Sequence, residues 1–164
     1  MSTDDTDDTT LPPAIDLDPA TRRSLAVALF NHTWNLLGIA DRTAAQTDEL
    51  IHSAHASRYH WGEIAGVEPI RLARGEWLCS RVYAVLGRSE PALWHARRCL
   101  AMNEVSPGED WDIASAYEGM ARAFLVSGDL EQVATWKAKA VAALDTIADA
   151  DDRAVIDGDL ATLP

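Results

Sequence analysis

A ten-residue segment that starts at His52 concentrates side chains able to exchange protons or bind metals. On a helix with about 100° between residues, four polar positions in and just before this segment share one face: Asp48, His52, His55 and Tyr59. Two histidines three residues apart beside an aspartate could ligate Zn²⁺ or Fe²⁺, or act as an acid–base pair. The alternative is a partly solvated polar stripe whose histidines are hydrogen-bonded within the fold. His32 would complete a metal site only if the first two helices pair antiparallel.

Prolines and glycines predict an all-α fold that positions these residues. Four prolines fall where helices would start, and three glycines follow long apolar-periodic runs, as helix-ending glycines do. These residues are Pro19, Pro69, Pro91 and Pro107, with Gly38, Gly87 and Gly128. Asp18 and Ser89 have side chains suited to N-caps. Because β-alternation is absent, about seven helices are predicted over 19–37, 41–61, 68–86, 90–103, 110–127, 129–149 and 151–161.

The first predicted helix is apolar on nearly all sides, which indicates a central position in the fold. Asn31, His32 and Asn35 on this helix would then be at least partly buried. Buried amides and imidazoles need partners, so these side chains would bond neighbouring helices or a ligand. For Asn31 we favour a role in close helix packing.

Charge and composition restrict the class of protein. The 164 residues carry 26 acidic and 14 basic side chains, giving a formal net charge of −12 at pH 7. A polyanion would be repelled, so neither nucleic acid nor an anionic membrane is expected as a partner. No apolar run approaches the roughly 20 residues of a bilayer span, and the N-terminus lacks signal-peptide features. A cytoplasmic location is expected.

The chain divides into a tail and one predicted domain. Residues 1–17 are rich in aspartate and threonine and contain Pro12 and Pro13, so they are predicted to form a disordered acidic tail. Residues 18–164 are long enough for a single helical domain with a substantial core. Cys79 and Cys99 are too few for a disulfide framework, and both are expected to be buried, reduced thiols.

An internal repeat becomes visible when the glycines are aligned. Tyr83-x3-Gly87-x4-Ala92-x3-Ala96-x3-Leu100 corresponds to Phe124-x3-Gly128-x4-Val133, and Trp34-x3-Gly38 repeats the first part. Seven residues before each glycine stands a fairly small residue that would let paired helices approach: Asn31, Ser80 and Ala121. The pattern resembles the tetratricopeptide repeat, most clearly over 73–106 and 114–147. The resemblance implies stacked antiparallel helix pairs, although the glycines are 49 and 41 residues apart rather than the family's regular spacing.

The same resemblance implies a concave groove lined by the first helix of each unit. Its groove-facing positions, carried over to this chain, give three rows spaced 3, 4 and 3. These are Leu25, Ala28, His32 and Asn35; Arg74, Trp77, Arg81 and Ala84; and Ser115, Glu118, Arg122 and Leu125. Arginines beside a tryptophan could hold a carboxylate or phosphate. The alternative is a buried structural network in which Arg81 and Arg122 pair with Glu76 and Glu118.

Two function hypotheses follow. The first is a non-catalytic module that holds a peptide or partner segment in the Arg/Trp-lined groove, as the resemblance implies. The second is a small-molecule-binding protein or enzyme, with a small anion as one candidate ligand. Its pocket and the groove together would use His32, Asn35, His52, His55, Tyr59, Arg74, Trp77, Arg81, Glu118 and Arg122. No phosphate-loop, EF-hand or nucleophile motif is present, so no catalytic residue, cofactor or committed metal site is assigned, and a homodimer stays open.

Overall fold

The computed structural model describes residues 16–164. Of the predicted acidic tail over 1–17, everything before Asp16 lies outside the described residues. The described part forms seven α-helices: α1 (Pro19–Leu37), α2 (Ala44–Gly62), α3 (Pro69–Val85), α4 (Ser89–Val105), α5 (Asp112–Ser127), α6 (Leu130–Ala143) and α7 (Ala150–Ala161). The predicted all-α class is therefore confirmed, and every helix end but one lies within three residues of the expected position.

The helix ends follow local chemistry at most of the predicted positions. Asp18 caps α1 by accepting hydrogen bonds from the amides of Ala20 and Thr21, and Pro19 occupies the first helical turn. Gly128 ends α5 in the left-handed conformation, with φ of 82°, which a side chain would strain. Ser89 is not an N-cap as predicted: Arg88 holds that position, and no side-chain cap bond forms there.

One predicted helix is shorter than expected. The segment predicted as helical over 129–149 leaves the α-helix after Ala143, passes through a 3-10 turn (Leu144–Thr146) and becomes extended at Ile147. The amide of Ala148 then donates a hydrogen bond of 2.8 Å to Asp110. This contact lies 38 residues away in sequence, so the break depends on a tertiary contact that local pattern does not reveal.

Neighbouring helices in the chain pack against each other, which builds a helical array. The pairs α1–α2, α3–α4 and α5–α6 are joined by α2–α3 and α4–α5 contacts, and α3 also contacts α5. The last helix, α7, packs on α5 and α6 through Ile156 and Leu160. None of the helices within residues 16–164 has the length and hydrophobicity that a bilayer crossing requires.

Small and polar residues let the helices approach closely. Ser80 and Ala121 are buried as the repeat predicted. The Ser80 hydroxyl donates to the carbonyl oxygen of Ala92 at 2.9 Å, which ties α3 to α4. Ser57 likewise donates to the carbonyl oxygen of Ala26 at 2.8 Å, joining α2 to α1.

The predicted central position of α1 is wrong. Helix α1 is the first helix of the array and contacts α2 and, to a smaller extent, α3. Its apolar residues Val27 and Trp34 remain 43% and 39% exposed, and Asn31 is exposed rather than packed between helices. A helix with an apolar surface on most sides therefore occupies an edge, which leaves aromatic side chains available to a neighbouring cavity.

Candidate ligand-binding cavity

A cavity of about 270 Å³ lies where α1, α3, α4, α5 and α7 meet. Aromatic side chains from three segments form much of its wall, and aspartates of α5 and α7 add negative charge. The lining consists of Phe30, Trp34, Arg74, Trp77, Cys99, Asn103, Trp111, Asp112, Ser115, Asp152, Val155, Ile156 and Asp159. We call this space the aromatic cavity.

Trp77 of α3 is held in the wall of the aromatic cavity by contacts on several sides. Its indole N–H donates to the carbonyl oxygen of Ser115 at 3.1 Å, and its ring lies 5.6 Å from that of Trp34, measured between centroids. Gly119 of α5 leaves room for it, since a β-carbon there would stand 3.2 Å from the Trp77 Cδ1 atom. The indole is therefore fixed before any ligand arrives.

A paired arginine and aspartate form the polar part of the wall. Arg74 donates two hydrogen bonds to Asp112, at 2.8 and 2.7 Å, in bidentate geometry. The hydrogen bonding of its guanidinium to Asp112 raises the pKa of Arg74, and burial only partly opposes this effect. The Arg74 guanidinium also lies over the ring of Trp111, 4.4 Å from its centroid. The charge of Arg74 is thus paired within the protein, and one face of the Trp111 ring is covered by the guanidinium.

The predicted arginine row forms a network with the C-terminal helix. Arg81 donates to Glu118 at 3.1 Å and to Asp159 of α7 at 2.5 Å. Arg122 donates to Glu118 at 2.5 Å, and to the carbonyl oxygen of Asp159 and the hydroxyl of Thr162. Burial raises the pKa of Glu118, against the opposing effect of Arg122 and Arg81. The network anchors α7 to α3 and α5.

The structural alternative for the arginines is correct in part. Glu118 pairs with both Arg81 and Arg122. Glu76, the second partner considered, instead binds Arg58, His95 and Arg98 on the other side of α3. Among the sequence-predicted residues, Arg74 and Trp77 line the aromatic cavity. Arg81, Glu118 and Arg122 do not line it, but both arginines bond Asp159, which does.

The remaining predicted residues lie elsewhere. His52 and Asn35 are exposed, and Tyr59 is 41% exposed. The Nε2 atom of His32 is hydrogen-bonded to the Glu49 carboxylate at 2.8 Å, and His32 does not complete a site with the other histidines. His55 contacts the Tyr83 hydroxyl at 2.9 Å, so it faces α3 rather than the aromatic cavity.

Within residues 16–164, the ligand atoms of Asp48, His52 and His55, which the sequence left open as a metal site, are not brought together. Among the described residues, the ligand atoms that come together are those of His55, Cys79 and His95. A shared helical face did not predict shared contacts. His55 points toward α3 and α4, whereas His52 is exposed to solvent.

Sequence reasoning missed most of the aromatic wall. Phe30 and Trp34 lie one turn apart on α1 and both line the cavity, a spacing that places them on one face. Trp111 directly precedes α5 and is flanked by Asp110 and Asp112. The first pair could have been found by its spacing, whereas the position of Trp111 depends on the fold.

Both cysteines are buried and free, as predicted. Burial raises the pKa of each thiol to about 12, so neither is a ready nucleophile in this state.

Comparison with protein-family models, with curated proteins and with solved structures gives no match in any of the three.

Proposed function

We propose that this protein is a non-catalytic small-molecule-binding module of tetratricopeptide-like construction. Its ligand is a flat, neutral or cationic molecule of one or two rings, held in the aromatic cavity. The observation that carries the proposal is the wall itself, in which Trp34, Trp77 and Trp111 line a half-open cavity while the neighbouring arginines are already bound to carboxylates.

Size supports a small ligand. The cavity measures about 270 Å³, and a dry cavity of roughly 150 Å³ in another protein holds one benzene molecule. Ligand sites in proteins are commonly apolar spaces with a few placed polar groups. The aromatic cavity fits that description, with room for one or two fused rings and a short polar substituent.

Charge favours a cation over an anion. The residues that line the cavity include one arginine and three aspartates, and that arginine, Arg74, is bound to Asp112. An anionic ligand would have to displace a carboxylate from a half-buried guanidinium, which leaves a buried charge unpaired. A cation meets aromatic faces and the nearby Asp152 instead. The anion hypothesis is therefore the weaker form of the small-molecule hypothesis.

A peptide remains the second candidate, on one specific observation. Asp159 of α7 and Thr162, directly after α7, bind Arg81 and Arg122, which are two of the side chains that the predicted groove would present. These contacts are of the kind expected between a groove and an acidic peptide. A peptide ligand would thus have to compete with α7, whereas a small ligand can bind beneath it.

Three matched compounds test the proposal by calorimetric titration: indole, tryptamine and indole-3-propionate. They share one ring system and are neutral, cationic and anionic at pH 7. We expect indole and tryptamine to bind with one site per chain, tryptamine more tightly, and indole-3-propionate to bind most weakly. Trp34→Ala is expected to weaken tryptamine roughly fivefold, because one aromatic contact contributes about 1 kcal/mol.

Trp94→Ala is the matched control. Trp94 lies on α4 and is 57% exposed, and it does not line the cavity, so affinity should be unchanged. Equal losses in both variants, or no binding of either indole or tryptamine, would overturn the proposal. Preference for indole-3-propionate would instead restore the anion hypothesis. Binding of a synthetic peptide that displaces α7, read as loss of amide protection over 150–161, would support the second candidate.

A further inference from the structure

A second cluster of chemically active side chains lies away from the aromatic cavity. His55 of α2, Cys79 of α3 and His95 of α4 place their ligand atoms within 4.8 Å of one another. Cys79 is fully buried, and the His95 side chain is 13% exposed. Three separate helices therefore bring two imidazoles and a thiol to one point, although no two of these residues are close in sequence.

The two imidazoles are oriented by hydrogen bonds at one nitrogen each. His55 uses Nε2 with the Tyr83 hydroxyl at 2.9 Å, and His95 uses Nδ1 with the Glu76 carboxylate at 2.6 Å. Each ring therefore has its other nitrogen to offer as a ligand. A carboxylate on the far nitrogen of a histidine is the usual support for a metal-binding imidazole, because it fixes the tautomer and strengthens the donor.

Glu76 is itself held in place. It binds Arg58 at 3.0 Å and Arg98 at 3.1 Å in addition to His95. Gly75 makes this arrangement possible, since a β-carbon there would stand 2.7 Å from the Arg58 side chain. The carboxylate that orients the His95 ring is therefore itself held in place by two ion pairs.

We infer that His55, Cys79 and His95 form a binding site for Zn²⁺. A thiolate and two neutral imidazoles are a donor set that Zn²⁺ accepts in tetrahedral geometry, with a water molecule in the fourth position. Binding transfers the Cys79 thiol proton to solvent as the Zn–S bond forms. The donors must contract from the present spacing to about 3.5 Å, as bond lengths of about 2.0–2.3 Å require, and side-chain rotation can supply that movement.

The surrounding charges set the strength of the site. The guanidinium groups of Arg58 and Arg98 lie on Glu76, next to His95, and they repel a cation. Their repulsion is offset in part by the Glu76 carboxylate and by the new thiolate. We therefore expect weaker binding than at a structural zinc site with four protein ligands.

The test uses Co²⁺ as a spectroscopic substitute for Zn²⁺ on the reduced, metal-free full-length chain. One equivalent should produce a sulfur-to-cobalt charge-transfer band in the near ultraviolet, together with the visible bands of tetrahedral Co²⁺. Addition of Zn²⁺ should abolish both, and competition against a chromophoric chelator then gives the Zn²⁺ affinity. Absence of the charge-transfer band at saturating Co²⁺ would overturn the inference.

Matched variants assign the ligands. Cys79→Ser should lose the charge-transfer band, while Cys99→Ser, which changes the other buried thiol, should retain it. His95→Gln should weaken Zn²⁺ at least tenfold, whereas His52→Gln, on the exposed side of α2, should not. Far-ultraviolet circular dichroism confirms that each variant is folded. A band that survives in Cys79→Ser or disappears in Cys99→Ser would contradict the assignment, as would equal zinc affinities in the two histidine variants.

Discussion

Two faces of helix α3 contact different parts of the protein. Arg74, Trp77 and Arg81 face the aromatic cavity and the arginine network. Glu76 and Cys79 face the opposite way, toward α2 and α4. Because the two sets lie on opposite faces of α3, substitutions in one set should leave binding at the other site intact. The two proposed sites can therefore be tested separately.

Gly119→Ala should weaken ligand binding without unfolding the protein. The new β-carbon would stand 3.2 Å from Cδ1 and 3.4 Å from Nε1 of Trp77, so the indole must shift and strain its bond to Ser115. We expect roughly fivefold weaker tryptamine binding by calorimetry, equal to about 1 kcal/mol, and an altered near-ultraviolet circular dichroism spectrum.

Gly158→Ala is the control for that experiment, because its β-carbon would meet nothing within 4 Å. It should bind tryptamine as the unmodified chain does. Unchanged affinity in Gly119→Ala would show that the position of Trp77 is not important for binding.

Glu76 should make stability depend on pH in the acid range. Burial alone raises the pKa of Glu76, but the hydrogen bond from His95 and the charges of Arg58 and Arg98 outweigh it and lower the pKa to about 2, from 4.5. A carboxyl whose pKa is lower in the folded state stabilises the fold above its unfolded pKa. That contribution is lost as the pH falls from about 4.5 toward 2.

The measurement compares urea unfolding of metal-free Glu76→Gln with the unmodified chain. At pH 7 the variant should be less stable by about 3 kcal/mol, since two arginines lose a buried partner. The difference should shrink steadily below pH 4.5. Glu104→Gln, at an exposed position on α4, removes the same charge and should show little difference at any pH. A Glu76→Gln deficit that stays constant down to pH 3 would contradict the assigned role.

At the scale of helices, local sequence patterns define the elements but not their contacts. Asp18 and Gly128 mark helix ends through hydrogen bonding and backbone conformation within a few residues, so their effect could be predicted. The aromatic cavity depends instead on pairs such as Arg74–Asp112, 38 residues apart, and Arg81–Asp159, 78 residues apart. No periodicity encodes such distances, which is why the contacts of α7 with α3 and α5 were not predicted.

Helix α7 carries a glycine that weakens it. Gly158 lies within α7, at an exposed position with open space around it. Alanine there should stabilise the helix by about 1 kcal/mol through higher helix propensity. The expected result is roughly fivefold slower hydrogen exchange of the α7 amides.

Gly128→Ala provides the opposite case at a helix end. Gly128 has φ of 82°, a conformation that costs other residues about 1 kcal/mol or more, so this variant should be less stable. Faster hydrogen exchange of the α7 amides in Gly158→Ala would contradict the prediction, because it would mean that alanine destabilises the helix.

At the scale of the whole molecule, the net negative charge and the ion pairs of the arginines determine how stability depends on salt. The formal net charge is −12 at pH 7, so the chain repels itself and attracts cations over several ångströms. The main ion pairs are partly or fully buried, as at Glu118 and Asp112, and such pairs are screened less than surface charges. Added salt should therefore relieve repulsion more than it weakens the ion pairs.

Raising NaCl from about 10 mM to about 1 M, which shortens the Debye length from about 30 Å to about 3 Å, should thus increase the melting temperature. The same salt should weaken tryptamine binding, because screening removes the attraction between the acidic molecule and a cation. Indole carries no charge, so its affinity should not fall. A melting temperature that falls with salt would mean that ion pairs such as Arg81–Asp159 outweigh the net charge. Equal salt dependence for indole and tryptamine would mean that the cavity does not recognise charge.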